Sequence, residues 1–371
     1  MNAPVQTAAR LEQRVENVLS SIAPTVCEQI ECLKDPALPD EVKPENRLAL
    51  LKQTLQQAVE LEFATIPVYL MALWSIKDNL HPAARSIRNV VQEEMLHLSL
   101  ASNMLAAIGG RPSLYNPGER GLRFPARLPG DVHPELILRL SGLTDDALDD
   151  FLEIELPQGE ISIEPYQGKY KHSHGTNHSA TIGALYDAIQ HEFDSLRPAM
   201  SPDNQISGPL AWFVVDTPEK VHSAINWIKE QGEGAVQNTP EHMRTERLSH
   251  FYRFWEVRKR RKIGRDPKTG KCAFMSPLEF PDVWPVAVVP DGGYRQEDVS
   301  PDVWHLLCMF DRTYSGVVKL LESAWGQGGQ AAMWKAIEIM FDLEKYAIPL
   351  MQIQRPDGAG NYGPHFRMVE V

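Results

Sequence analysis

The sequence predicts a mainly α-helical protein built around a bundle of long helices. Two segments with apolar residues at helical spacing, 45–77 and 83–108, are separated only by a short break at Asp78–Pro82. Helices joined so briefly must run antiparallel as neighbours. The inward stripe of the second helix is interrupted by Glu94 and His97, three residues apart. Two further helical patterns, 301–324 and 329–352, close the chain.

The 371 residues are 43% hydrophobic and 23% charged, enough to build a large core. The net charge of −12 argues against nucleic acid as the main partner, because phosphate binding needs a basic face. The basic run Arg258–Lys262 with Arg265 follows a helix and reads as a solvated end favoured by the macrodipole. No apolar run reaches the ~18 residues of a membrane span, and the N-terminus lacks the order of a signal peptide. The expected location is the cytoplasm. Cys27, Cys32, Cys272 and Cys308 form no C-x-x-C pair and read as free thiols.

The elements follow in order. Residues 8–34 carry Leu11, Val15, Val18, Leu19 and Ile22 at helical spacing, and prolines at 36, 39 and 44 follow, so 1–44 reads as an N-terminal helical extension. The bundle spans 45–262. Its first helix has the stripe Leu48, Leu51, Leu55, Ala58, Glu62, Thr65, Tyr69, Leu73, Ile76, with Pro67 inside it as an expected kink or lost ladder bond. The second ends at Gly109-Gly110. Residues 111–178 form a loop-rich insertion with short helices near 133–140 and 144–153. Helices at 179–197, 218–233 and 240–261 and a short strand at Trp212–Val215 complete the bundle. Residues 263–371 form a C-terminal helical region packed on it, irregular over 264–300.

The chemistry lies on the stripe of the second helix: Ile87, Val90, Glu94, His97, Ala101, Leu105. Positions i and i+3 are neighbours on a helix, so a carboxylate and an imidazole reach one point from a face that should be apolar. A buried charge without a partner costs several kcal/mol or more, and a metal ion is an efficient partner. Carboxylate-bridged metal bundles use this Glu-x-x-His spacing. On the first helix, Glu60 shares a face with Gln53, Gln56 and Gln57 and should meet solvent. Glu62 lies one heptad from both Leu55 and Tyr69 and should point inward, as a metal ligand or as a buried carboxylate bonded to a Tyr or Arg. Glu62 stands 17 residues before Asn79, at the centre of the break, and Glu94 and His97 stand 15 and 18 after it. In an antiparallel pair they share one height. In the second half His250 falls in a stripe with Met243, Glu246, Phe254 and Val257, as a ligand or a hydrogen-bonded core histidine. Its carboxylate partner is open between Glu192, Glu233 and Glu246.

The segments VELEFATIPVYLMAL, VVQEEMLHLSLASNMLAAIGGRPSLY, TIGALYDAI, EQGEG and LSHFYRFWEV, followed by MFDRTYSGVVKLL, AIEIMFDLEKYAIPLM and GPHF, come in a recognisable order. Over roughly residues 47–366 the chain resembles the ferritin-like domain of bacterial iminophenyl-pyruvate dimer synthases of violacein- and indolocarbazole-type pathways. The resemblance implies a ferritin-like bundle with Glu62, Glu94, His97, Glu233 and His250 at metal-ligand positions. Carboxylates are hard oxygen ligands, so the expected cofactor is iron, as a di-iron centre, with manganese as the alternative. Two departures touch the second half of the site: Ala184 stands where the third-helix motif has Glu, and Arg247 where an acid is expected. They leave a mononuclear or altered site, or Glu192 and Glu246 as stand-ins.

Two functions follow. One is a di-iron oxidoreductase that oxidises a small organic substrate, such as an amino-acid-derived imine, with no membrane or nucleic-acid partner. The other is a non-catalytic metal-binding or scaffold protein with a partly lost site, which Ala184 and Arg247 favour. The stretch HSHGTNH, with His172, His174 and His178, reads as a surface metal site or as a solvated loop. The Gly-rich run Trp325–Gly329 follows no strand and so gives no phosphate loop, and no G-x-S-x-G elbow exists.

Overall fold

The computed structural model describes residues 3–21, 25–35, 42–115, 122–157, 161, 163–169, 181–208, 211–232 and 247–370. The fold is mainly helical. Its centre is the antiparallel pair α3 (Pro44–Ser75) and α4 (Pro82–Ala107). Each begins with proline in its first turn, where the missing N–H costs nothing. The helix α4 stops before Gly109, whose φ of 74° a side chain would resist. Pro67 lies inside α3 without ending it. It has no N–H to give the carbonyl of Phe63, but the residues around it are buried and tertiary packing holds the helix.

Against the sequence expectation, α3 is by length and composition long and apolar enough to cross a membrane. Its most apolar window is 94% buried inside the fold, which makes it the core helix of the bundle.

The remaining bundle helices are α5 (Asp145–Ile154), α6 (Ile182–Leu196), α7 (Pro218–Gly232) and α8 (His250–Lys259). Threonine hydroxyls cap α5 and α6: Thr144 accepts from the Ala147 N–H and Thr181 from the Ala184 N–H. The helix α6 packs on α3, α7 on α6, and α5 against α8. The basic run is tied down: Arg258 pairs with Asp149 at 2.6 Å and Arg260 with Asp145 at 2.8 Å, binding α8 to α5.

Several expected elements differ. The N-terminal extension is two helices, α1 (Ala3–Ser20) and α2 (Val26–Leu33), because Thr25 starts a new helix with a capping box to Glu28. They pack through Leu11, Val15, Cys32 and Leu33 on Leu50 and Ala188. The helix expected near 133–140 is instead a strand, β2 (Ile137–Leu138), paired antiparallel with β1 (Ala126–Arg127). Trp212–Val215 is not a strand; Trp212 adopts a φ of 55° inside a turn. The helix expected over 240–261 starts only at His250 among the described residues. Arg247–Ser249 are non-helical, and Ser249 is extended at the N-cap. Part of the segment expected to be irregular is a hairpin, β3 (Arg261–Arg265) and β4 (Cys272–Pro277).

The C-terminal region holds α9 (Pro301–Ala324), α10 (Gly329–Met340) and α11 (Glu344–Met351). The last two, expected as one helix, are parted by a 3₁₀ turn at Phe341–Leu343. One continuous core joins these helices to the bundle, with Phe310, Leu343 and Leu350 among the residues packed with those of α3. The four cysteines are free thiols. The histidine-rich stretch with His172, His174 and His178 lies outside the described residues, as do Glu233 and Glu246.

Candidate metal centre

Four of the six expected ligands meet in the middle of the bundle. The Nδ1 of His97 lies 3.6 Å from Glu62 Oε2 and 3.7 Å from Glu94 Oε1. From the first residue of α8, His250 brings its Nδ1 to 2.7 Å from the same Glu94 oxygen. One ligand atom each of Glu94, His97 and His250 lies within 4.8 Å of the others, and all three residues are buried. Helix pairing explains the meeting: α3 and α4 run side by side from one short turn, and α8 closes over them.

Glu192 does not join them. Its Oε1 accepts from the Arg47 Nε–H at 2.8 Å, and both side chains are buried. Six residues separate it from Tyr186, a rise of about 9 Å with a turn of about 240°, which aims it elsewhere. The apolar stripe that suggested it is real, but its polar member belongs to an ion pair.

Two residues beyond the expected set complete the arrangement. Glu155, at the end of α5, places Oε2 3.5 Å from His250 Nδ1. Glu93 places Oε2 3.0 Å from His250 Nε2 and pairs with Arg253 at 2.7 Å. The centre then has two matched halves. In one, Tyr186 donates to Glu62 at 2.6 Å, and Glu62 faces His97. In the other, Tyr69 donates to Glu155 at 2.7 Å, and Glu155 faces His250. Glu94 stands between the halves, its Oε2 fixed by the Thr65 hydroxyl at 2.9 Å.

Each histidine is also held from behind. Nε2 of His97 meets Gln231 Oε1 at 2.9 Å, as that of His250 meets Glu93. An Nε2–H donated outward leaves the Nδ1 lone pair facing the carboxylates, the arrangement outer partners impose on metal-binding imidazoles.

The electrostatics fit a cation. Burial acts first on Glu94, and the charge of Glu155 adds to it; the two histidines pull back, and the carboxyl is pushed up to about 7. Burial lowers the affinity of His97 and His250 for protons, but the carboxylates outweigh it and both are raised. Burial, with Glu155 and Glu62 respectively, keeps Tyr69 and Tyr186 neutral donors. Glu93 is lowered to about 2, because His250 and Arg253 overcome the effect of its burial. The field at the centre is negative, so protons collect where a cation would displace them.

The donor set fits a metal on one further observation. His250 Nδ1 is fully buried and makes no hydrogen bond, since its 2.7 Å approach to Glu94 lacks hydrogen-bond geometry. A buried nitrogen left so is costly unless something accepts its lone pair. Carboxylate oxygens with two imidazoles suit iron, manganese or zinc. A small cavity of about 20 Å³, lined by Glu62, His97, Tyr186, Lys229 and Gly232 among others, adjoins the centre. It has room for about one water-sized molecule.

The signal for Glu155 was in the sequence: the run Phe151-Leu152-Glu153-Ile154-Glu155-Leu156 carries two acids among apolar residues. Glu93 had a weaker one, Arg253 placed among the aromatics of α8. Gln231 gave none beyond its place two residues before Glu233.

A family model of ferritin-like proteins matches residues 55–259, the span that holds every residue of the centre. A solved structure of a ferritin-like protein from Caulobacter vibrioides is similar in fold, with a TM-score of 0.56. It shares 22% identity over 84% of this chain and 97% of that one. No curated protein matches closely enough to suggest a substrate. The family match covers more than half of the chain and runs from α3 to α8, and on that ground the protein belongs to the ferritin-like family.

Proposed function

We propose that the chain holds a dinuclear metal centre, of iron with manganese as the alternative, and uses it as an oxidoreductase on a small organic substrate. The observation that carries this reading is the matched pair of halves: Tyr186, Glu62 and His97 on one side, Tyr69, Glu155 and His250 on the other, with Glu94 between. Two such halves would hold each of two ions by a carboxylate and an imidazole, with Glu94, whose Oε1 faces both imidazoles, between them. Bound iron would supply one-electron chemistry and a template for dioxygen or peroxide. The protein's own part is positioning. Tyr69, Tyr186 and Thr65 fix the carboxylates, Gln231 and Glu93 fix the imidazoles, and the four expected ligands that meet here are all buried. The amino-acid-derived imine as substrate class rests on the resemblance of the first two bundle helices to iminophenyl-pyruvate dimer synthases.

One observation favours a second reading, metal binding without catalysis. Arg247, where the resemblance expects an acid, lies 4.0 Å from Glu93, so that position brings a cation to the edge of the centre in place of a further carboxylate. Oxygen uptake by iron-loaded, chemically reduced protein separates the two. Uptake that Glu155→Ala abolishes is the oxidoreductase outcome. Full iron content without uptake is the binding or scaffold outcome.

A further inference from the structure

A cavity of about 210 Å³ lies between the α3–α4 pair and the C-terminal helices α9 and α10. On α3 it is lined by Phe63, Ile66 and Leu70, each one residue past Glu62, Thr65 and Tyr69 of the metal centre. On α4 it is lined by Met95 and Leu98, each one residue past Glu94 and His97. One residue turns a helix by about 100°. The same two helices therefore give one face to the metal centre and the next face to this cavity.

The lining defines a ligand. Among the described residues it contains no Asp, Glu, Lys, Arg or His. A charged molecule would leave water there without a partner, at a cost of several kcal/mol or more. Met95, Met333 and Met340 join Phe63, Phe366 and Trp325, a lining whose thioethers and ring edges favour an aromatic guest. Its polar side chains are Gln92, Ser99 and Tyr314. Gln92 is exposed at the rim, and Ser99 already donates to the Met95 carbonyl at 3.0 Å. Tyr314 is only 6% exposed, and its hydroxyl makes no hydrogen bond among the described residues. Burial foremost, with Asp311 nearby, keeps that hydroxyl protonated. At the mouth Phe341 is 65% exposed, an apolar group left in water beside an apolar space.

We propose that this cavity binds an uncharged aromatic molecule of about nine non-hydrogen atoms, whose one polar group bonds to the Tyr314 hydroxyl. The size follows from scale, since an apolar cavity of about 150 Å³ accepts benzene. This site is separate from the metal centre, and its occupancy does not depend on which metal reading holds.

Calorimetric titration of the full chain with 4-ethylphenol, ethylbenzene and 4-ethylbenzoate tests the proposal. The phenol binds about fivefold more tightly than ethylbenzene, the worth of one net neutral hydrogen bond. The benzoate anion does not bind. In Tyr314→Phe, ethylbenzene binds as before and the preference for the phenol disappears. The variant removes one oxygen from a cavity wall, and a melting curve establishes that it folds. Ala336→Leu, at a buried lining residue, fills the space and weakens both neutral compounds. Failure of both neutral compounds to bind, binding of the anion as tight as that of the phenol, or a preference that survives in Tyr314→Phe overturns the proposal.

Discussion

His97 and His250 stack with ring centroids 5.3 Å apart and planes inclined by 23°. Their outer nitrogens are held by Gln231 and Glu93, so both inner nitrogens face the carboxylates. Two imidazoles stacked this way repel each other if both are charged: burial and then the nearby His250 lower the hold of His97 on a proton, while Glu62 and Glu94 raise it by more. Neutral rings side by side present two lone pairs to the same acidic cluster.

The proposed dinuclear centre carries a stoichiometry with it. Protein purified without chelators and reconstituted with ferrous iron under argon should bind two equivalents per chain. Glu155→Ala and His250→Ala each reduce the content to about one, because each removes a donor from one half only. A parent value of one equivalent in elemental analysis, unchanged in Glu155→Ala, would mean a single ion held by Glu94, His97 and His250.

Loss of His97 should lower both metal content and thermal stability. A metal bound only by the folded state adds about 2.7 kcal/mol when its free concentration is a hundred times Kd. For His97→Ala, melting curves taken with and without added iron should nearly coincide, whereas the parent gains several degrees. An equal gain in the variant would make His97 an ordinary core histidine.

The outer partners can be tested apart from the ligands. Replacing a group that orients a metal-binding histidine costs about 10–100-fold in metal affinity. Gln231→Leu removes the acceptor for His97 Nε2 without removing any carboxylate. Competition with a chromophoric chelator should show affinity weakened within that range. Affinity within a factor of two of the parent would mean that Gln231 does not set the ring's orientation.

How much of this was legible in the sequence follows from where each residue sits. Glu62, Glu94 and His97 lie on long helices, where a 3.6-residue period states which face is inward and a short turn fixes the relative height. His250 was legible by its apolar neighbours Phe254 and Val257, although the helix begins at His250 itself and the register cannot be carried back past Ser249. Glu155 was not legible by that method. It caps a ten-residue helix inside a segment of turns, where no periodicity spans enough residues to define a face. Loops and the ends of short elements are placed by tertiary contacts, here the Tyr69 hydroxyl and α8, which no local pattern encodes.

The same limit misassigned Glu192, and that residue gives the sharpest control. Its stripe, Leu185, Ile189 and Leu196, correctly marked an inward face of α6, but periodicity cannot say which partner a buried acid meets. Arg47, 145 residues earlier in the chain, meets it at 2.8 Å. Breaking a buried pair from one side leaves an uncompensated charge and costs about 3–5 kcal/mol, while replacing both partners with apolar groups is often neutral. Glu192→Leu should therefore lower the denaturant midpoint sharply and leave the metal stoichiometry at the parent value. The double variant Arg47→Met with Glu192→Leu should recover most of the lost stability. If Glu192→Leu instead releases an ion while the protein stays as stable as the parent, the acid serves the metal centre and its pairing with Arg47 is incidental.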